Sequence, residues 1–111
     1  MTHKIIIDTD PGVDDAMAIL FALRSPELEV VGLTAVFGNT DVEVTAQNAL
    51  RLVELEGHGH IPVAQGAGVP LSIPPRSRGK MVHGDDGMGM THLPAPKGKL
   101  AGVHVEVARR R

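Results

Sequence analysis

The stretch Lys4-Ile5-Ile6-Ile7-Asp8-Thr9-Asp10-Pro11-Gly12-Val13-Asp14-Asp15-Ala16 decides the reading of this 111-residue chain. Three consecutive β-branched residues, apolar on both faces, suit a strand buried in a parallel sheet. Asp10-Pro11-Gly12 breaks the strand. From Val13 or Asp14 to Leu23 the residues favour a helix that is apolar nearly all round and so is expected to be buried. Arg24-Ser25-Pro26 ends it, because the residue before proline avoids the α region.

Working outward, Leu28 to Val36 reads as a second strand, and Phe37-Gly38-Asn39 turns off its end. Thr40-Asp41-Val42-Glu43 has capping-box spacing, with Thr40 at the N-cap and Glu43 at N3. The helix it opens runs to about Glu56, with Val42, Ala46, Ala49, Leu50 and Val53 on its inner stripe and Gly57 at C′. Ile61 to Gln65 is a short third strand. Residues 4–65 therefore predict a β-α-β-α-β core, the doubly wound, Rossmann-like α/β pattern with a parallel sheet. Strands adding in one direction through right-handed crossovers put both helices on one face and leave the other bare, so the unit reads as incomplete. Residues 66–100 hold seven glycines and five prolines, too many for regular elements. Residues 101–111 form a tail that could be strand or helix start and ends in three arginines, a solvated feature rather than a binding site.

Composition narrows the class. Apolar residues make up 42% and charged residues 22%, the balance of a globular chain. A net charge of −2 recruits neither nucleic acid nor an anionic membrane, and two Phe with no Trp or Tyr give no stacking platform. The absence of cysteine excludes disulfide frameworks and thiolate metal sites and fits a reducing, cytoplasmic setting.

Chemistry concentrates at the end of the first strand. Asp8, Asp10, Asp14 and Asp15 place four carboxylates within eight residues. Asp8 and Asp10 share a side of the strand by its period of two, and Asp14 and Asp15 fall in the first turn of the helix. At least three of the four are expected in one pocket. Two carboxylates about 4 Å apart repel by about 4 kcal/mol at an effective dielectric of about 20, so such a pocket requires a cation, a shared proton or strong donors. Ligands of open α/β sheets collect at this edge, and all-oxygen ligation points to Ca²⁺ or Mg²⁺ rather than zinc. Acids in a first helical turn also stabilise the helix by about 0.3–1 kcal/mol each, which is the plain structural alternative. Asn39 leaves the second strand at the same edge. His58 and His60 read as an exposed loop pair, and His92 and His104 carry no site context.

Asp8-Thr9-Asp10-Pro11-Gly12-Val13-Asp14-Asp15-Ala16 resembles the N-terminal signature of the inosine–uridine-preferring nucleoside hydrolases. Asn39 after Thr34-Ala35-Val36-Phe37-Gly38 is similar to the same family. So is His83-Gly84-Asp85-Asp86-Gly87, followed by Met88-Gly89. The resemblance covers about residues 4–98 and implies hydrolysis of the N-glycosidic bond of ribonucleosides by a Ca²⁺-activated water. It implies that Asp10 and Asp15 ligate Ca²⁺, that Asp10 is the catalytic base, that Asp14 and Asn39 bind ribose hydroxyls, that His83 lies on the nucleobase side, and that Asp8 supports them. It further implies a homo-oligomer at family length. The family's chains are much longer, and their remaining ligands come from later segments. The chain is therefore expected to be an N-terminal fragment, weakly active or inactive alone, open to a complementing C-terminal chain. Two alternatives are carried forward. One is a haloacid-dehalogenase-like Mg²⁺ phosphohydrolase with Asp8 as nucleophile and Asp10 as acid/base. The other is a non-catalytic assembly module.

Overall fold

The computed structural model describes residues 2–70, 72, 84–89 and 91–101. Its elements follow the order β1 (His3–Thr9), α1 (Val13–Leu23), β2 (Leu28–Ala35), α2 (Val42–Leu55) and β3 (Val63–Gln65). The three strands form a parallel sheet in the order β1-β2-β3. Strands therefore add in one direction, as expected, and β2 is the central strand. The β1–β2 register slips between Ile5 and Ile6, where Ile5 pairs Val30 and Ile6 pairs Gly32, so β2 carries one extra residue. Beyond β3, the Ala101 amide donates to the Val63 carbonyl at 2.7 Å in a parallel bridge.

The core lies between the sheet and one layer of helices. Leu33 of β2, Leu52 and Val53 of α2, Val63 of β3 and Ile19 of α1 are its large, fully buried members. Ala35 at the C-terminal end of β2, and Ala46 and Ala49 in α2, are small residues without exposed surface. The end of α2 is a Schellman turn: Gly57, at φ +75°, donates to Glu54 O, and His58 donates to Val53 O at 2.7 Å.

Four expectations need correction. The helix α1 is not buried all round. It packs on β2 and α2, while Met17 (70% exposed) and Phe21 (74%) face outward. Likewise β1 is an edge strand whose Ile6 is 67% exposed on the uncovered face. The N-cap of α2 is Asp41 rather than Thr40, and no side chain caps it. Thr40 is buried instead and donates its hydroxyl to Asp41 O at 3.2 Å. Finally, β3 is shorter than Ile61–Gln65: its residue pairing with β2 runs over Val63–Gln65, against Leu33–Ala35. Among the described residues no helix is long and apolar enough to cross a membrane.

Candidate active site

The strand β1 ends at Thr9, and the next three residues turn the chain into α1, whose N-cap is Gly12. Pro11 and Gly12 are buried, so the turn sits tight against the body of the protein. It brings Asp8, Asp10 and Asp15 to the rim of one cavity of about 370 Å³, lined also by Ile7, Thr9, Ala18 and Ile19. The expectation of three carboxylates in one pocket is thus met. Asp14 is the one left out: it is exposed in the first turn and does not line that cavity. Successive helical residues point about 100° apart, so Asp14 and Asp15 cannot both face the strand end.

Each carboxylate is held by a neutral donor. The Thr9 hydroxyl donates to Asp15 Oδ2 at 2.8 Å, and the Thr34 hydroxyl of β2 donates to Asp8 Oδ1 at 2.6 Å. Asn39 grips Asp10 twice: its backbone N–H donates to Asp10 Oδ2 at 3.0 Å, and its Nδ2 donates to the Asp10 carbonyl at 2.8 Å. Among the described residues no cationic side chain lines the cavity. Burial, followed by the hydrogen bond and like charge of the Asp15 carboxyl, pushes the Asp10 carboxyl above its ordinary value, against the pull of the Asn39 N–H. Asp10 and Asp15 line the same cavity, and each carboxyl acts on the other there.

Sequence reasoning missed several of these supports. Gly38 leaves room for Asp10, since a Cβ there would stand 2.1 Å from Asp10 Oδ2. Thr9 and Thr34 were visible as polar residues at strand ends, but their partners are set by the turn and the register. Asn48, fully buried on α2, links the acidic loop to segment 84–89, and its signal was one amide in an otherwise apolar stripe. His83 lies outside the described residues. The neighbouring Gly84–Gly89 is packed beside the acidic loop, with Gly87 against Thr40, Asn48 and Pro11. His58 and His60 place their rings 5.8 Å apart in the α2–β3 loop, well removed in sequence from the carboxylates. Among the described residues no group of three or more His, Cys, Asp or Glu is arranged to hold a metal ion, so Asp10 and Asp15 form a pair rather than a complete ligand set.

Fold and site together define a parallel α/β protein with an acidic cleft at the strand C-termini. The sequence profile described as inosine-uridine preferring nucleoside hydrolase matches residues 5–110, and the chain belongs to that family. It is 51% identical over 96 residues to a protein named probable uridine nucleosidase 1 from Oryza sativa subsp. japonica, covering 86% of this chain and 30% of that one. It is 49% identical over 88 residues to the non-specific ribonucleoside hydrolase RihC of Escherichia coli, covering 79% of this chain and 28% of that one. A solved structure described as a plant nucleoside hydrolase, PpNRh1, superposes with a TM-score of 0.87 at 44% identity, covering 94% of this chain and 33% of that one. The chain thus spans about 30% of the length of the curated relatives it matches. Family membership sets aside the phosphohydrolase alternative, in which the Asp14-Asp15 pair has no role.

Proposed function

We propose that this chain supplies the carboxylate-bearing part of a site that hydrolyses the N-glycosidic bond of ribonucleosides to ribose and free base. The observation that carries the reading is the convergence of Asp10 and Asp15 at the C-terminal end of β1, with the Asp10 carboxyl raised by burial and by its neighbour. The relatives named above, a uridine nucleosidase and a ribonucleoside hydrolase, agree with that substrate class.

The donor chemistry fits Ca²⁺. Asp10 and Asp15 offer hard oxygens, no nitrogen or sulfur ligand lies in the cavity among the described residues, and a divalent cation would relieve their repulsion. Calcium takes about six to eight oxygens, so this pair is a partial set completed by water, ribose hydroxyls and protein beyond these residues. Bound there, the ion would act as a Lewis acid that lowers the pKa of the attacking water. Asp10, at the C-terminal end of β1 in the same cavity, takes the proton from that water as general base. Asn39, fixed beside Asp10, and Asp14, on the outer side of the helix start, hold ribose hydroxyls and set the sugar's orientation. Cleavage builds positive charge on the ribose ring, which the carboxylates facing it stabilise. Asp8, tied to Thr34, supports the strand end. His83 is assigned the nucleobase side. Oligomerisation and the remaining ligands belong to chain length that the relatives have and these residues do not span.

Calorimetric titration of the chain with Ca²⁺ tests the reading. Binding is expected in the parent chain and a loss of about tenfold or more in affinity in Asp10→Ala and in Asp15→Ala. Affinity unchanged in both variants would refute it. Release of base from inosine or uridine, abolished by chelator and by Asp10→Ala, would place catalysis in this chain alone.

A further inference from the structure

On the inner face of α2, Asn48 has no exposed surface. A buried amide is retained only where its donors and its acceptor find partners. Asn48 Nδ2 donates to the Asp86 carbonyl at 2.8 Å and lies 3.5 Å from the Pro11 carbonyl. Its Oδ1 accepts from Arg51 Nη1 at 2.9 Å. Pro11 directly follows Asp10. Asp86 in turn organises its own segment, its carboxylate accepting from Met88 N at 2.9 Å and from His92 N at 3.4 Å. Packing agrees with the bonding. Gly87, at φ +72°, comes so close that a Cβ would stand 2.9 Å from Thr40 Cγ2 and 3.1 Å from Asn48 Nδ2.

We infer that Asn48 is a positioning residue that couples the acidic loop to segment 84–89, so that an occupant of the Asp10–Asp15 cleft is registered by that segment. The inference rests on the proposed reading of the cleft as a cation and ribose site. The amide's orientation is set from both ends: two carbonyls face its NH₂ group and the Arg51 guanidinium faces Oδ1. Among the described residues, Arg51 Nε is buried with no partner. Coupling of this kind is reciprocal: what fixes the acidic loop fixes segment 84–89, and the reverse. The donor end of one amide is then the physical connection between two loops far apart in sequence.

Amide hydrogen exchange on the full chain, free and with Ca²⁺ alone, tests this. The Gly87 and Met88 amides, bonded to Gly84 O and Asp86 Oδ1, report segment 84–89, and the Asn39 amide, bonded to Asp10 Oδ2, reports the cleft. Asn48→Asp keeps the size and the Arg51 partner but removes the donors. In the free protein it is expected to speed exchange at Gly87 and Met88 about tenfold, with the β1–β2 ladder unchanged. Ca²⁺ is expected to protect Asn39 in both proteins and to protect Gly87 and Met88 only in the parent chain. Unchanged free exchange at Gly87 and Met88 in Asn48→Asp, or Ca²⁺ protection of Gly87 and Met88 undiminished in that variant, overturns the inference. Absence of protection at Asn39 in the parent chain refutes the cation reading itself, and the free-protein exchange then decides the role of Asn48.

Discussion

Replacing Gly38 by alanine isolates the geometry of Asp10. The φ angle of Gly38 is not in the left-handed region, so alanine meets no backbone penalty there. What it meets is Asp10, because the new Cβ would stand 2.1 Å from Oδ2 and 2.8 Å from Cγ. An ordinary non-bonded contact needs about 3.5 Å, so the carboxylate must retreat by more than about 1 Å. That exceeds the roughly 0.5 Å within which a binding constellation must be held. It also breaks the 3.0 Å bond from the Asn39 amide. Losing a hydrogen bond to a charged group is worth about 1.5–3 kcal/mol, or about tenfold to about 150-fold in an equilibrium. Ca²⁺ affinity, read by calorimetry, should fall by at least about tenfold. Fold stability should hold within about 1 kcal/mol, since Asp10 moves toward solvent and Gly→Ala restricts the unfolded chain. Gly57→Ala is the converse control, with φ +75° and nothing within 4 Å, so it should destabilise without touching Ca²⁺ binding. Gly38→Ala binding Ca²⁺ like the parent chain would refute this geometry.

The pH dependence follows from Asp10. Its carboxyl is raised in the folded chain, so its contribution to metal-free stability is full below the ordinary value of 3.8 and is lost as pH rises through the raised value. Ca²⁺ affinity should climb over that same rise, and melting curves of Asp10→Asn should lack the corresponding slope. Glu54 acts oppositely: the Lys97 and Gly98 amides, each at 2.8 Å, hold its carboxyl below the ordinary value. Docking of that segment should be complete above the ordinary value of 4.5 and loosen as pH falls through the lowered one. Glu54→Gln should accordingly speed amide exchange at Lys97 and Gly98 at neutral pH, and equal exchange would exclude the clamp. Leu33→Ala, at a fully buried position in the central strand, should destabilise by about 2–5 kcal/mol in urea titration. A shift below about 1 kcal/mol would mean that the core has been misplaced.

The order of elements was legible because its signals are local. The isoleucine run, Asp-Pro-Gly, Ser25-Pro26 and Gly57 act within a few residues of themselves. Burial was less legible, because it depends on what lies opposite. Met17 and Phe21 read as core, yet both are exposed, on the side of α1 away from β2 and α2. The cap of α2 was misread for a related reason: Thr40 is drawn inward against Gly87, a contact between residues 47 apart in the chain, and Asp41 takes its place. At the site, the clustering of acids at the end of β1 was legible, but not which of Asp14 and Asp15 faces the cavity. Gly38, Asn48 and the two threonines escaped notice because each is defined by a partner in another element.

The arrangement around Asp10 and Asp15 runs against what stability alone would select. A parallel α/β turn tolerates one acid at the helix start, where the dipole favours it. This turn adds a second, half-buried carboxyl in the same cavity, and among the described residues neutral donors, Thr9 and Asn39, steady the pair. An arginine at that position would neutralise the repulsion, and Arg24 and Arg51 are spent elsewhere, on Glu56 and Asn48. The local conflict is also protected: Gly38 makes the room and Asn39 fixes the orientation. Local rules are broken at sites where function requires it, and the surrounding structure offsets the cost. Neutral donors hold both carboxylates in place without cancelling their charge, which is the arrangement that the proposed cation and ribose reading requires.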